Sequence, residues 1–188
     1  MSGASRGRLR VIAGKWRSRR IAFPDREGLR PTPDRVRETV FNWLQADIPG
    51  SRCLDVFAGS GALGFEAASR GASHVVMIEQ GREAAAALKK NIELLEAANM
   101  ELVVADALNW LAHNERVFDI VFLDPPFSTG LLNRSCELLE SGQSLAKNAK
   151  IYVEHALDSD GPVVPDNWEC LKSRSAGQVA YKLFSRAR

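Results

Sequence analysis

Leu54-Asp55-Val56-Phe57-Ala58-Gly59-Ser60-Gly61-Ala62-Leu63-Gly64 decides the fold. The apolar run over 53–57 predicts a buried strand, the glycines a tight turn, and 62–70 a helix that stops at Gly71. A strand that feeds a helix through a glycine turn opens a βαβ unit. The chain then repeats the alternation: strands are expected over 74–79, 100–104, 118–123 and 150–155, with helices over 83–98, 107–114 and 131–140. Two more strands, 168–173 and 179–184, are joined by Ser175-Ala176-Gly177 and close the chain as an antiparallel hairpin. Near-continuous apolar strands mean burial on both faces, so the fold class is α/β with a doubly wound, mostly parallel sheet.

Gly59, Gly61 and Gly64 satisfy G-x-G-x-x-G, a pattern that alone suggests a dinucleotide. In an open α/β sheet the ligand sits at the carboxyl ends of the strands whichever ligand it is. Asp55 separates the readings. An acid four residues before Gly59 would repel a pyrophosphate and suits a cationic amino-acid head. Glu79 ends the second strand, placed to accept from both ribose hydroxyls, and Asp106 follows the third, where it can accept from an adenine amino group. With Phe57, Gly59, Ser60, Gly61 and Ala107 beside them, the three acids fit S-adenosylmethionine as cofactor. The plain alternative is three carboxylates that merely cap strand ends. A nicotinamide oxidoreductase fits less well, because Asp55 is in the wrong place for it.

The fourth strand ends in Asp124-Pro125-Pro126-Phe127. This resembles the catalytic motif of methyltransferases that act on exocyclic amino nitrogens. Such a nitrogen is a poor nucleophile because its lone pair is delocalised into the ring. Asp124 and the Pro125 carbonyl can accept its two N–H groups and aim the lone pair at a methyl donor. Pro125 and Pro126 fix the loop and its carbonyl direction, and Phe127 offers a face on which a base stacks. Asp124 or solvent takes the proton.

Upstream, Thr32-Pro33-Asp34 reads as a helix start, with Thr32 capping, Pro33 in the first turn and Asp34 against the positive end of the dipole. Val36, Val40, Phe41 and Leu44 then mark one apolar face to about Gln45. Residues 1–37 hold eleven Lys/Arg against three Asp/Glu, a net +8 that leaves −6 on the remainder of a chain of overall charge +2. A basic arm on a mildly acidic body is the footprint of a protein that meets a phosphate backbone. Residues 1–8 read as lacking structure, and 8–12 and 19–23 as a small hairpin in which Gly14 supplies a positive φ. The candidates for RNA contact are Arg10, Lys15, Trp16, Arg17, Arg19, Arg20, Arg30, Arg35 and Arg37, with Trp16 either stacking a base or packing on the body.

Arg30-Pro-Thr-Pro-Asp-Arg-Val-Arg-Glu-Thr-Val-Phe-Asn-Trp-Leu44, together with Arg10-Val-Ile-Ala-Gly-Lys-Trp-Arg-Ser-Arg-Arg-Ile21, closely resembles the bacterial 16S ribosomal RNA guanine-N2 methyltransferase family. The resemblance runs from about residue 9 to 184, and its N-terminal parts are the specific ones, since the acids and the Asp124–Phe127 motif are shared by many amino-methyltransferases. It implies a Rossmann-like class I fold with a seven-stranded sheet. It further implies methyl transfer from S-adenosylmethionine to N2 of one guanine in 16S rRNA, within the small ribosomal subunit or its assembly intermediate. Two alternatives stand beside it: an adenine-N6 methyltransferase on DNA or another RNA, and a non-catalytic RNA-binding assembly factor.

At 188 residues, with 45% hydrophobic and 26% charged, the chain can bury a core without disulfides. It divides into a basic arm over 1–31 and a methyltransferase domain with its leading helix over 32–188. Cys53, Cys136, Cys170, His74, His113 and His155 are scattered, so no metal site is expected. No apolar run approaches the roughly 20 residues of a membrane span, and no signal peptide is evident, so the protein is expected to be cytoplasmic and monomeric.

Overall fold

The computed structural model describes residues 6–25, 31–127 and 130–187. The described chain opens with β1 (Arg6–Arg10), β2 (Arg20–Pro24) and α1 (Asp34–Trp43). The alternation then runs β3 (Arg52–Asp55), α2 (Ala62–Ser69), β4 (His74–Ile78), α3 (Arg82–Leu94), β5 (Met100–Val103), α4 (Ala107–His113), β6 (Phe118–Leu123) and α5 (Leu131–Ser141). β7 (Leu145–Ala156), β8 (Trp168–Ala176) and β9 (Val179–Arg186) finish it.

The main sheet has the order β5-β4-β3-β6-β7-β9-β8. Its first five strands pair in parallel, and β9 runs antiparallel between β7 and β8. This is the expected Rossmann-like sheet of seven strands with an antiparallel hairpin at one edge. The chain steps outward from β3 through β4 to β5, then returns to the other side of β3 with β6. The loops after β3 and β6 therefore diverge and leave a crevice at their carboxyl ends. Asp55 and Asp124 stand at those two ends.

Two hydrophobic clusters cover the two faces of the sheet. Leu9, Val11, Trp16, Ile21 and Phe23 of the hairpin share one of them with Val40, Phe41, Phe65 and Phe122. The arm is thus packed into the same core as the sheet. Gly14 makes this approach possible: its φ is +83°, and a Cβ there would lie 1.9 Å from the Ser69 carbonyl oxygen at the end of α2.

Some boundaries differ from the sequence reading. Residues 6–8 form the start of β1 rather than an unstructured lead, because Arg6 to Arg10 pair with Pro24 to Arg20; residues 1–5 lie outside the described residues. Pro33, not Thr32, is the N-cap of α1, and no side chain caps that end. The Thr32 hydroxyl is instead drawn to Glu154. α3 stops at Leu94, where Leu95 turns into the core and Glu96 takes a φ of +49°. β7 begins five residues earlier than expected, across an irregularity opposite Phe118 and Ile120. Among the described residues no helix is long and apolar enough to cross a membrane.

Candidate active site

A cleft of about 1200 Å³ opens where β3, β4, β5, β6 and β7 end. The first wall is the glycine loop. Asp55 is buried at the tip of β3, and its Oδ2 accepts from the Gly64 amide at 3.0 Å, tying the strand end to the first turn of α2. Burial pushes its carboxyl up to about 7, with the charges of Glu79 and Glu154 adding to the rise and the Gly64 amide opposing it. Gly61 has a φ of +79°, and a Cβ there would lie 2.7 Å from the Leu88 and Phe65 side chains. Gly61 therefore sits beneath the loop and lets α2 close on α3, while Gly59 and Ser60 face the cleft.

Glu79 fastens the loop from the neighbouring strand. Its Oε2 accepts from the Gly59 amide at 2.9 Å and its Oε1 from the Gly81 amide at 2.6 Å. Asp106 caps α4 by accepting from the Asn109 amide at 2.8 Å, and remains exposed at the cleft beside the buried Ala107. Phe57 lines the cleft half-buried. Capping and facing a ligand are therefore compatible for these acids, since a carboxylate has acceptor positions left after one or two amides.

The opposite wall carries Asp124, Pro125, Pro126 and Phe127, all of which line the cleft. Phe127 is 40% exposed where it lines the cleft. Desolvation in the cleft, reinforced by the charges of Glu154 and Asp55 and eased by Thr32, raises the Asp124 carboxyl well above its usual range. Leu123 pairs with Val153 in parallel register, which sets Glu154 beside Asp124 on the next strand. Glu154 is buried, and its Oε1 accepts from the Tyr152 hydroxyl at 2.9 Å and the Thr32 hydroxyl at 3.3 Å. Burial raises its carboxyl too, against the pull of those two hydroxyls.

Glu154 and Thr32 were missed by reasoning from the sequence. An acid at the end of an apolar strand is the same signal that picked out Asp55 and Glu79, and applied to 151–154 it would have found Glu154. Behind the loop over 125–127 a smaller pocket of about 140 Å³ adjoins the cleft, and Glu154 borders both. Among the described residues no cluster of His, Cys, Asp and Glu is placed to hold a metal ion.

The basic arm is only partly as expected. Arg10, Lys15, Arg17, Arg19, Arg20 and Arg35 are exposed. Arg10 lies 3.8 Å from Asp34, and Arg19 reaches the Leu94 carbonyl at 3.4 Å. Trp16 is corrected: only 5% exposed, it packs into the core, with its amide held by Ser69 Oγ at 2.9 Å, so its ring cannot stack a base. Lys15 Nζ lies 5.7 Å from the centre of that ring. Arg37 is also corrected. It is wholly buried and donates to the carbonyls of Thr32 and Arg10 and to the carboxylates of Asp34 and Glu66, so its guanidinium is unavailable to a phosphate. Arg30 lies outside the described residues.

Comparison with known proteins adds a lineage to this geometry. Residues 9–185 match the family model described as conserved hypothetical protein 95. The chain is 48% identical to ribosomal RNA small subunit methyltransferase D of Escherichia coli K12, over 96% of this chain and 91% of that protein. It is 45% identical to the Haemophilus influenzae protein of the same name, over 96% of this chain and 95% of the other. A solved structure of the Escherichia coli yhhF protein, 45% identical, superposes with a TM-score of 0.90 over 97% of this chain and 99% of that one.

Proposed function

The chain belongs to the family described as conserved hypothetical protein 95, and from that premise we propose that it transfers a methyl group from S-adenosylmethionine to N2 of a guanine in 16S rRNA of the small ribosomal subunit. The observation that carries this reading is the placement of Asp124-Pro125-Pro126-Phe127 across one cleft from Asp55, Glu79 and Asp106.

The residues present fit the cofactor. The cleft is rich in acids, and a ligand with ammonium and sulfonium charges favours their ionised forms. Asp55, Gly59, Ser60, Glu79 and Asp106 line the cleft. Glu79 has acceptor positions that would hold a ribose diol, Asp106 would accept from an adenine amino group, and Asp55, Gly59 and Ser60 would hold the amino-acid end. When bound, the cofactor supplies an electrophilic methyl group on a positively charged sulfur.

The protein's own task is orientation and exclusion of water. Asp124 and the Pro125 carbonyl accept the two N–H groups of the guanine amine, drawing the nitrogen toward tetrahedral geometry and fixing the direction of its lone pair. Phe127 stacks on the base. N2 faces the minor groove, so the nucleotide leaves its stack to reach the cleft. A covalent cysteine route lacks a nucleophile: Cys53 and Cys136 are buried, with thiols pushed up by burial to about 12, and Cys170 lies on edge strand β8.

Residues 1–31 serve the RNA and 32–188 carry the chemistry, with the exposed Arg10, Lys15, Arg17, Arg19 and Arg20 of the arm, joined by Arg35 of α1, available to phosphates. The experiment is incubation with labelled S-adenosylmethionine and small subunits lacking the modification, followed by nucleoside analysis. Label in N2-methylguanosine supports the reading; label in N6-methyladenosine, or none, overturns it.

A further inference from the structure

We propose that Glu154 is a specificity-determining residue that accepts the N1–H of the target guanine, an inference that rests on the guanine-N2 reading above. Glu154 sits beside Asp124 through the parallel register of β6 and β7. It borders both the main cleft and the smaller pocket behind the loop over 125–127, so it stands where a base held by Asp124 and Phe127 presents its edge.

The geometry of the carboxylate is that of an acceptor held in readiness. Oε1 is pinned by two hydroxyl donors, Tyr152 from its own strand and Thr32 from the segment leading into α1. Among the described residues Oε2 has no donor, and no Lys or Arg forms an ion pair with Glu154. A buried carboxylate without a counter-ion, placed next to a second one, is a costly arrangement. A ligand that donates to Oε2 offsets that cost.

Guanine is such a ligand. Its Watson–Crick edge carries N1–H directly beside the 2-amino group, two donors in a row. Asp124 and the Pro125 carbonyl take the amine, and Glu154 takes N1–H. A purine with a bare N1 places a lone pair against Oε2 and leaves the acceptor unmatched. Sites built around a substrate N–H reject analogues lacking it far more strongly than they reject a change of bulk. Glu154 thus separates guanine from any purine that offers an amine but no N1–H.

The test uses small subunits reconstituted with RNA carrying either guanine or 2-aminopurine at the target. 2-Aminopurine keeps the 2-amino group and has a lone pair at N1. The full-length wild-type protein is expected to methylate guanine at least about 100-fold faster than 2-aminopurine. In Glu154→Gln the amide N–H can donate to N1, so the 2-aminopurine rate should rise above that of the wild type and the preference narrow at least about tenfold. Glu154→Ala should slow guanine without that gain. Equal wild-type rates on the two bases overturn the inference without recourse to any variant. A wild-type preference retained in a folded Glu154→Gln protein with normal S-adenosylmethionine affinity overturns it as well. Failure of the wild type to methylate guanine at all overturns the proposed function itself, which separates the two outcomes.

Discussion

Arg37 and Glu66 meet inside the protein, Nη1 to Oε2 at 3.4 Å, with both side chains shut off from solvent. Glu66 also accepts from the amides of Ile12 and Ala13 at 2.8 and 3.0 Å and from Arg70 Nε at 2.6 Å. One carboxylate therefore binds the N-terminal hairpin to α1 and α2. Glu66→Ala would leave the buried Arg37 guanidinium with Asp34 as its remaining carboxylate and would free two hairpin amides. It should cost about 3–5 kcal/mol and lower the melting temperature by roughly 6–20 °C. Calorimetry decides it: a drop below about 2 °C would mean that the hairpin is held without Glu66, by its apolar contacts and its hydrogen bonds to Ser69 and Asn91.

The acids of the cleft set the pH dependence of the free protein. The Asp55 carboxyl moves from 3.8 up to about 7 on folding because it is buried. Between those values the folded state binds more protons than the unfolded one, so stability falls as pH rises through that window. Asp124 and Glu154 are raised as well and add in the same sense. The melting temperature without ligand should fall between about pH 5 and pH 8. Asp55→Asn, which keeps an oxygen for the Gly64 amide, should flatten that slope and raise the melting temperature at pH 8 by at least about 3 °C while weakening S-adenosylmethionine binding. An unchanged slope in thermal scans would remove Asp55 from this account.

Glu79 has a double duty in the proposed cofactor site, closing the loop through Gly59 and Gly81 and accepting from the ribose. Glu79→Ala should weaken S-adenosylmethionine binding by roughly 1.5–3 kcal/mol, about 10- to 150-fold. Titration calorimetry reads the loss directly, and wild-type affinity in the variant would refute the assignment.

Arg17, Arg19 and Arg20 are exposed on the hairpin, whereas Trp16 and Ile21, which flank them, are buried. Deleting the arm would therefore remove part of the core, but reversing these three charges should leave the fold and the cofactor affinity intact. Binding to small subunits should weaken, with the log–log salt slope falling by about 0.7–0.9 for each phosphate no longer neutralised. A triple variant with the normal slope and rate would take this face out of the RNA interface.

The centre of the sheet was legible because its inner strands are apolar on both faces and the turn after β3 carries glycine, so β6 begins and ends where the pattern of 118–123 says. The glycine loop and the Asp124–Phe127 motif were legible for a similar reason: their chemistry is local in sequence. What escaped notice depends on neighbours distant in sequence. Glu154 gains its partner Thr32 from 122 residues away. Arg37 looks like one more cation in a basic arm until Glu66 and the carbonyls of Arg10 and Thr32 close around it. Trp16 is buried by the close approach of Gly14 to the end of α2, which no periodicity announces.

The most direct test of the central claim is single-turnover methylation of unmodified small subunits by the wild type and by Asp124→Ala, with the labelled nucleoside identified. The wild type should place label in N2-methylguanosine. Asp124→Ala should bind S-adenosylmethionine nearly normally yet react at least about 100-fold more slowly, the scale of losing one oriented polar group in a site. Label in another nucleoside, or an Asp124→Ala protein that reacts at the wild-type rate, would contradict the account.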